Sequence, residues 1–122
     1  MSNILVIDDN AAVRKAVMMM LELSGHSVVG AKDGAEAMRA FDSENPDLVI
    51  VDIIMPDKDG IEIIREMRRL RPTTRIIAMT GGGRFPNLDF LKMARAFGAA
   101  DAVAKPIDPD DLAARVEACL GA

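Results

Sequence analysis

The chain has 122 residues, half of them hydrophobic, and a formal net charge of −4 with basic and acidic residues interspersed. This length corresponds to one domain, and the charge pattern lacks the basic patch expected of a protein that binds nucleic acid or an anionic membrane. The sequence has one cysteine, no signal-peptide core and no apolar run of the ~18 residues that a membrane span needs. These features predict a soluble, reduced, cytoplasmic protein with an aliphatic, methionine-containing core.

Short apolar runs alternate with helical periodicity along the chain. The runs at 4–7, 27–31, 48–51, 75–79 and 102–104 predict five strands. Hydrophobic residues at helical spacing predict a helix after each strand. The residues that mark them are, in chain order, Val13, Val17, Met20 and Leu21 for the first helix; Ala35, Ala37, Met38 and Phe41 for the second; Ile61, Ile64, Met67 and Leu70 for the third; and Leu112, Val116 and Leu120 for the fifth. The fourth helix is predicted over residues 88–97. Strands that are apolar on both faces and alternate with helices indicate a doubly wound α/β fold with a parallel sheet.

Local signals mark where these helices begin and end. Asp33 is suited to cap the second helix, and Gly25 and Gly98 are suited to end the first and fourth. Pro46 and Pro72 follow the second and third helices, since proline cannot continue a helix.

Polar residues follow four of the predicted strands. Asp8 and Asp9 follow the first, Asp52 the third, Thr80 the fourth and Lys105 the fifth. Because the carboxyl ends of parallel strands meet at one edge of the sheet, we expect these five side chains to converge on one cleft.

Each residue has a structural interpretation when taken alone. Asp8 or Asp9 is suited to cap the first helix, and Asp52 could form a structural ion pair or hydrogen bond. Thr80 could be an ordinary loop residue and Lys105 an ordinary surface lysine. One chemical interpretation accounts for the whole set, however. Three carboxylates form a site that Mg²⁺ prefers, while the lysine and the hydroxyl supply a charge and a donor for a phosphoryl group. The pattern therefore predicts phosphoryl transfer with Asp52 as the nucleophile.

The sequence resembles the response-regulator receiver domains of two-component signalling from end to end. The resemblance rests on "DD" at 8 and 9, "DIIMPDKDG" at 52 to 60, "MTG" at 79 to 81 and "AKP" at 104 to 106. It implies a single receiver domain over residues 1–122, without an output domain. The implied fold is flavodoxin-like, with five parallel strands in the order 2-1-3-4-5 and five helices.

The resemblance also implies roles for individual residues. Asp52 accepts a phosphoryl group; Asp9 and Asp52 bind Mg²⁺ directly with the backbone carbonyl of Ile54, and Asp8 acts mainly through water. Lys105 and Thr80 contact phosphoryl oxygens. A cis peptide bond is expected before Pro106.

Two positions depart from the family pattern. Ala102 stands where an aromatic residue is common, and Ile107 stands where Phe is frequent. The fourth strand is followed by Gly81, Gly82 and Gly83. We expect Thr80 and these glycines to act as the conformational switch, with the segment from 81 to about 87 becoming ordered on phosphorylation.

Partners are implied by the same resemblance. The donor is expected to be a sensor histidine kinase or a histidine phosphotransfer protein that docks on residues 11–17 and 106–108. The recipient of the signal is a downstream protein or a missing output domain. The chain is expected to catalyse only its own phosphorylation and dephosphorylation, and to be monomeric before phosphorylation.

Two other classes of protein share parts of the pattern. A flavodoxin-like binder of small ligands would have the same sheet, but "DDNAAVRKA" lacks the glycines with which a backbone approaches a phosphate. A phosphatase with an aspartyl nucleophile would favour a second acid two residues after that nucleophile, where this chain has Ile54.

Overall fold

The computed structural model describes residues 2–53, 55, 60–81 and 87–121, without the side chains of 81 and 87–90. Strands and helices alternate strictly in the described residues, which confirms the predicted α/β fold. Their order is β1 Asn3–Ile7, α1 Ala11–Leu23, β2 Ser27–Ala31, α2 Gly34–Glu44, β3 Leu48–Asp52, α3 Gly60–Leu70, β4 Arg75–Gly81, α4 Asn87–Ala96, β5 Asp101–Lys105 and α5 Pro109–Leu120.

The strands form one parallel sheet in the order β2-β1-β3-β4-β5, as expected. Side chains alternate between its two faces, and each face has its own buried cluster of hydrophobic residues. On β3, Val49 and Val51 pack with α2, α3 and α4, whereas Leu48 and Ile50 pack with α1 and α5. Helices on both faces therefore explain why the strands read as continuous apolar runs.

Short polar residues and left-handed backbone set the helix ends. Asp33 accepts a hydrogen bond from the Glu36 N–H and caps α2, as predicted. At the other ends, Gly25 and Gly98 have φ values of 93° and 110°, and Asn45 caps α2 with φ 47°. These are conformations that glycine and asparagine adopt more readily than other residues.

The structure corrects two details of the predicted helix faces. Ala35 is exposed and Leu70 is 52% exposed, whereas Ile63 is fully buried on α3. The buried side chains of α3 are thus those of Ile63, Ile64 and Met67, whereas Leu70 is the last residue of the helix. None of the described helices is both long enough and apolar enough to cross a membrane.

Candidate functional site

The turn between β1 and α1 presents the first two acidic residues of the site. Asp8 is fully buried, and its N–H donates to the Ala31 carbonyl over 3.1 Å. Its Oδ1 accepts a hydrogen bond from the Asn10 N–H at 2.9 Å, which tightens the turn, while Asp9 is exposed. The cap of α1 is Asn10, which accepts from the Val13 N–H, so the interpretation of Asp8 or Asp9 as the cap is wrong.

The remaining polar residues reach the same edge through the sheet. Asp52 is the last residue of β3 and lies in register with Met79 on β4, directly before Thr80. On the next strand Lys105 is the last residue of β5, in register with Gly81. Asp52 and Thr80 are 5% and 2% exposed. The parallel register therefore places both of these residues and Lys105 at the carboxyl edge of the sheet, as predicted.

Lys105 joins two of the carboxylates. Its Nζ lies 2.8 Å from Asp8 Oδ2 and 3.2 Å from Asp52 Oδ2, with 19% of the side chain exposed. Burial disfavours the charged form of Lys105, but hydrogen bonds and attraction from Asp8 and Asp52 outweigh it and raise its pKa. The ammonium is therefore the counter-ion of two buried acids, and it stays protonated at neutral pH.

Three carboxylates of the site are placed to share a cation. Oxygen atoms of Asp8, Asp9 and Asp52 all lie within 4.8 Å of one another. A set made only of carboxylate oxygens fits a hard divalent cation, and Mg²⁺ commonly takes one or two carboxylates and keeps several waters. The exposure of Asp9 leaves that side open to solvent. The donor set therefore fits the expected magnesium ion.

Backbone features complete the site. The Lys105–Pro106 peptide bond is cis, as expected. Gly60, at the start of α3, packs so closely on β3 that a Cβ atom there would lie 2.2 Å from the Asp52 carbonyl oxygen. Ala102 is 7% exposed, so the position where an aromatic residue is common is buried here.

Some predicted site residues lie outside the part of the chain that the structure describes. Ile54, Gly82 and Gly83 lie outside the described residues, and Gly81 is described only as the last residue of β4. The carbonyl ligand and most of the glycine switch therefore remain predictions.

An apolar cleft of about 240 Å³ lies beside the acidic site. It is lined by Val13, Ala16, Val17, Met20, Lys105, Pro106 and Ile107. Val13 is only half-buried, and it packs against the same cluster as Ile107. The first helix and the loop after β5 therefore form one continuous surface.

Sequence analysis did not identify Arg14 at this site. Its Nη1 donates to the Asp8 carbonyl over 2.8 Å. No motif marked this arginine, because the contact depends on how α1 packs across the end of the sheet.

The fold and this constellation define a phosphoacceptor module of the receiver type. Residues 4–117 match the family model described as the response regulator receiver domain, and the chain belongs to this family.

Individual relatives agree with this assignment. The chain is 35% identical over 118 residues to the alkaline phosphatase synthesis transcriptional regulatory protein PhoP of Bacillus subtilis, covering 96% of this chain and 48% of the relative. It is 36% identical over 121 residues to the response regulator MprA of Mycolicibacterium vanbaalenii, and this alignment covers 96% of this chain and 49% of MprA. The chain thus spans about half the length of these curated relatives.

The fold has close structural neighbours. A response regulator receiver domain protein from Clostridium thermocellum superimposes with a TM-score of 0.88 at 31% identity, covering 99% of this chain and 95% of that one. Both the acidic site and the sheet order are therefore those of a receiver domain, and a flavodoxin-like ligand binder or a phosphatase is not favoured.

Proposed function

We propose that Asp52 accepts a phosphoryl group from a phosphohistidine and that the chain passes the signal to a protein partner by a conformational change. The observation that carries this proposal is the contact of Lys105 Nζ with both Asp8 Oδ2 and Asp52 Oδ2, beside three carboxylates that converge within 4.8 Å. A nucleophilic carboxylate, a fixed cation and a metal-ligating acid pair are the parts that phosphoryl transfer requires.

The residues divide the chemistry among them. An Asp52 carboxylate oxygen attacks phosphorus, the P–N bond of the donor breaks, and the electron pair leaves with the imidazole, which takes up a proton. The ammonium of Lys105 already lies 3.2 Å from Asp52 Oδ2, so it is placed to neutralise the incoming phosphoryl oxygens. Thr80, at the end of the adjacent strand, supplies a hydroxyl donor to the phosphorylated state.

Asp8, Asp9 and Asp52 would hold the magnesium ion. When bound, Mg²⁺ neutralises charge that develops on the phosphoryl oxygens. The exposure of Asp9 would leave the ion accessible to solvent, so that it could keep some of its waters. In this proposal the chain catalyses only the phosphorylation and dephosphorylation of its own Asp52.

Phosphorylation by a small donor tests the assignment. With Mg²⁺ and acetyl phosphate, intact mass spectrometry should show one added phosphoryl group on the wild type and none on Asp52→Asn. Asp42→Asn removes an exposed carboxylate from α2 and is the matched control, which should label normally. Equal labelling of Asp52→Asn would overturn the assignment, and chelation of the metal should stop labelling of every variant.

We also propose that the apolar cleft is where the histidine-bearing donor protein docks. The cleft borders Lys105, and Ala12 is exposed on the same helix as the lining residue Val13. A donor seated there would place its phosphohistidine next to Asp52.

A pair of arginine substitutions tests this docking surface. Ala12→Arg should slow transfer from the cognate donor protein and leave labelling by acetyl phosphate unchanged, because the small donor needs no docking surface. Ala35→Arg, on an exposed position of α2, should change neither reaction. If Ala12→Arg slows both reactions equally, the residue acts on the site itself and the docking proposal fails.

A further inference from the structure

Arg14 reaches from α1 back to the end of β1. Its Nη1 donates a hydrogen bond to the backbone carbonyl of Asp8 at 2.8 Å, across six positions in the sequence, and the side chain is half-buried. The contact is with the main chain of the acidic turn, so it constrains the turn without pairing with a carboxylate.

The path of this side chain depends on Gly30 in the neighbouring strand β2. A Cβ atom at Gly30 would lie 3.2 Å from Arg14 Cδ and 2.7 Å from Met18 Sδ. The stem of Arg14 therefore lies against strand backbone that carries no side chain. This close approach brings the guanidinium to the Asp8 carbonyl.

The bonded carbonyl belongs to the peptide unit that leads into Asp9. Because a peptide unit is planar, fixing the Asp8 carbonyl also fixes the amide nitrogen and the Cα of Asp9. Asp9 is exposed. The backbone of the turn therefore sets where the Asp9 side chain begins and which positions its carboxylate can reach.

We infer that Arg14 is a positioning residue that holds the Asp9 carboxylate in the geometry required for the divalent cation. The inference rests on the metal site of the proposed function. Arg14 and Gly30 thus support metal affinity by holding the turn, whereas the three acidic residues are the ligands themselves.

Metal titration of matched variants tests this role. Arg14→Met keeps a stem that packs against Gly30 but removes the donor, and it should weaken Mg²⁺ binding about tenfold by calorimetry, as removal of a supporting hydrogen bond does in other metal sites. Arg14→Lys retains one donor and should bind more tightly than Arg14→Met. Lys15→Met removes the same charge from an exposed neighbouring position. It should change the affinity by less than about twofold, since salt screens exposed charges.

The unfolding temperature without metal shows whether each variant is folded. Gly30→Val provides a second approach, because it retains the arginine, suits a strand and places a Cβ atom against Arg14 Cδ as well as against Met18 Sδ. It should also weaken Mg²⁺ binding. Arg14→Met with wild-type affinity would refute the inference, as would an equal loss in Lys15→Met. If Arg14→Met does not fold, unchanged affinity in Gly30→Val refutes it. Failure of the wild type itself to bind Mg²⁺ would instead contradict the proposed function.

Discussion

Lys105 donates a hydrogen bond from Nζ to Asp52 Oδ2 over 3.2 Å and so joins the ends of two strands that are 53 residues apart in the sequence. The same nitrogen lies 2.8 Å from Asp8 Oδ2. One ammonium therefore balances two acids that are almost completely removed from water.

Replacing this ammonium should destabilise the protein and strengthen metal binding. Lys105→Met removes the ammonium that lies between two buried carboxylates, and we expect a loss of about 1–3 kcal/mol in the free energy of unfolding at pH 7 without metal. This lies below the range for fully buried pairs because Lys105 retains some solvent contact. Mg²⁺ should bind more tightly, since the competing cation is gone, while labelling by acetyl phosphate should fall.

The pH dependence of this loss follows from the raised pKa of Lys105. The stabilisation is complete below the pKa of lysine in the unfolded chain, and it disappears only when the pH rises through the higher folded value. The wild type and Lys105→Met should therefore differ by the same free energy of unfolding in urea at pH 7 and at pH 9. A difference that vanishes by pH 9 would contradict the raised pKa.

Gly60→Ala should damage both the fold and the site. The added Cβ would lie 2.2 Å from the Asp52 carbonyl oxygen and 2.4 Å from Ile53 Cα, and backbone atoms cannot rotate away. We expect a loss of about 3 kcal/mol on urea unfolding, together with reduced labelling, because the end of β3 must shift.

Gly25→Ala is the matched control for that substitution. Gly25 has φ 93° but open space around its Cα, so alanine adds backbone strain of about 1 kcal/mol without a collision. It lies at the opposite end of α1 from the site, and labelling should be normal. A Gly60→Ala variant as stable as Gly25→Ala would show that α3 can move away from β3 at little cost.

Arg68 should contribute more to stability than its neighbour Arg69. Its guanidinium donates to the carbonyls of Pro72, Thr74 and Gly98, and thereby ties the end of α3 to the loop after α4. Arg68→Ala should cost about 2 kcal/mol in thermal or urea unfolding, as expected when a charged donor is removed from such acceptors. Arg68→Lys should give an intermediate loss, since lysine keeps the charge but its single nitrogen cannot reproduce the fork by which Nη1 and Nη2 reach Thr74 and Gly98.

Arg69→Ala is the control, because Arg69 is exposed in the same last turn of α3. Its effect should stay within about 0.5 kcal/mol. Equal losses for the two alanine variants would indicate that helix charge, and not the bridge between loops, explains the effect.

The thiol of Cys119 should react slowly. Burial raises its pKa, Asp101 raises it further, and Arg75 acts in the opposite direction. The thiolate is the reactive form, so modification by a disulfide reagent at pH 8 should be several-fold slower in the folded protein than in urea, and it should accelerate as the pH rises. Equal rates in the two states would contradict both the burial and the raised pKa.

The charged face formed by β5 and α5 should not dimerise the unphosphorylated protein. Arg115 donates to Asp101 at 2.8 Å and to Asp111 at 3.0 Å, so this arginine is already paired with acids of its own chain. Sedimentation at micromolar concentration should show a monomer. Arg115→Ala should change stability by at most about 1 kcal/mol, because the pair lies at the surface; a stable dimer of the wild type would refute this expectation.

Local sequence was sufficient to predict the fold and the members of the acidic site. Strand and helix periodicity, with Pro and Gly at the boundaries, depends on neighbouring residues, and parallel strands necessarily bring their carboxyl ends to one edge. Asp8, Asp9, Asp52, Thr80 and Lys105 could therefore be assigned to one cleft before any distance was known.

Tertiary structure decided the details that depend on contacts between distant segments. Only packing across the sheet shows that Ile63 and not Leu70 is buried, and that Lys105 pairs with Asp8 as well as Asp52. The contact of Arg14 with the Asp8 carbonyl belongs to the same group, since it requires a glycine on a neighbouring strand. Such contacts follow from the relative placement of whole elements, which residue periodicity along the chain does not specify.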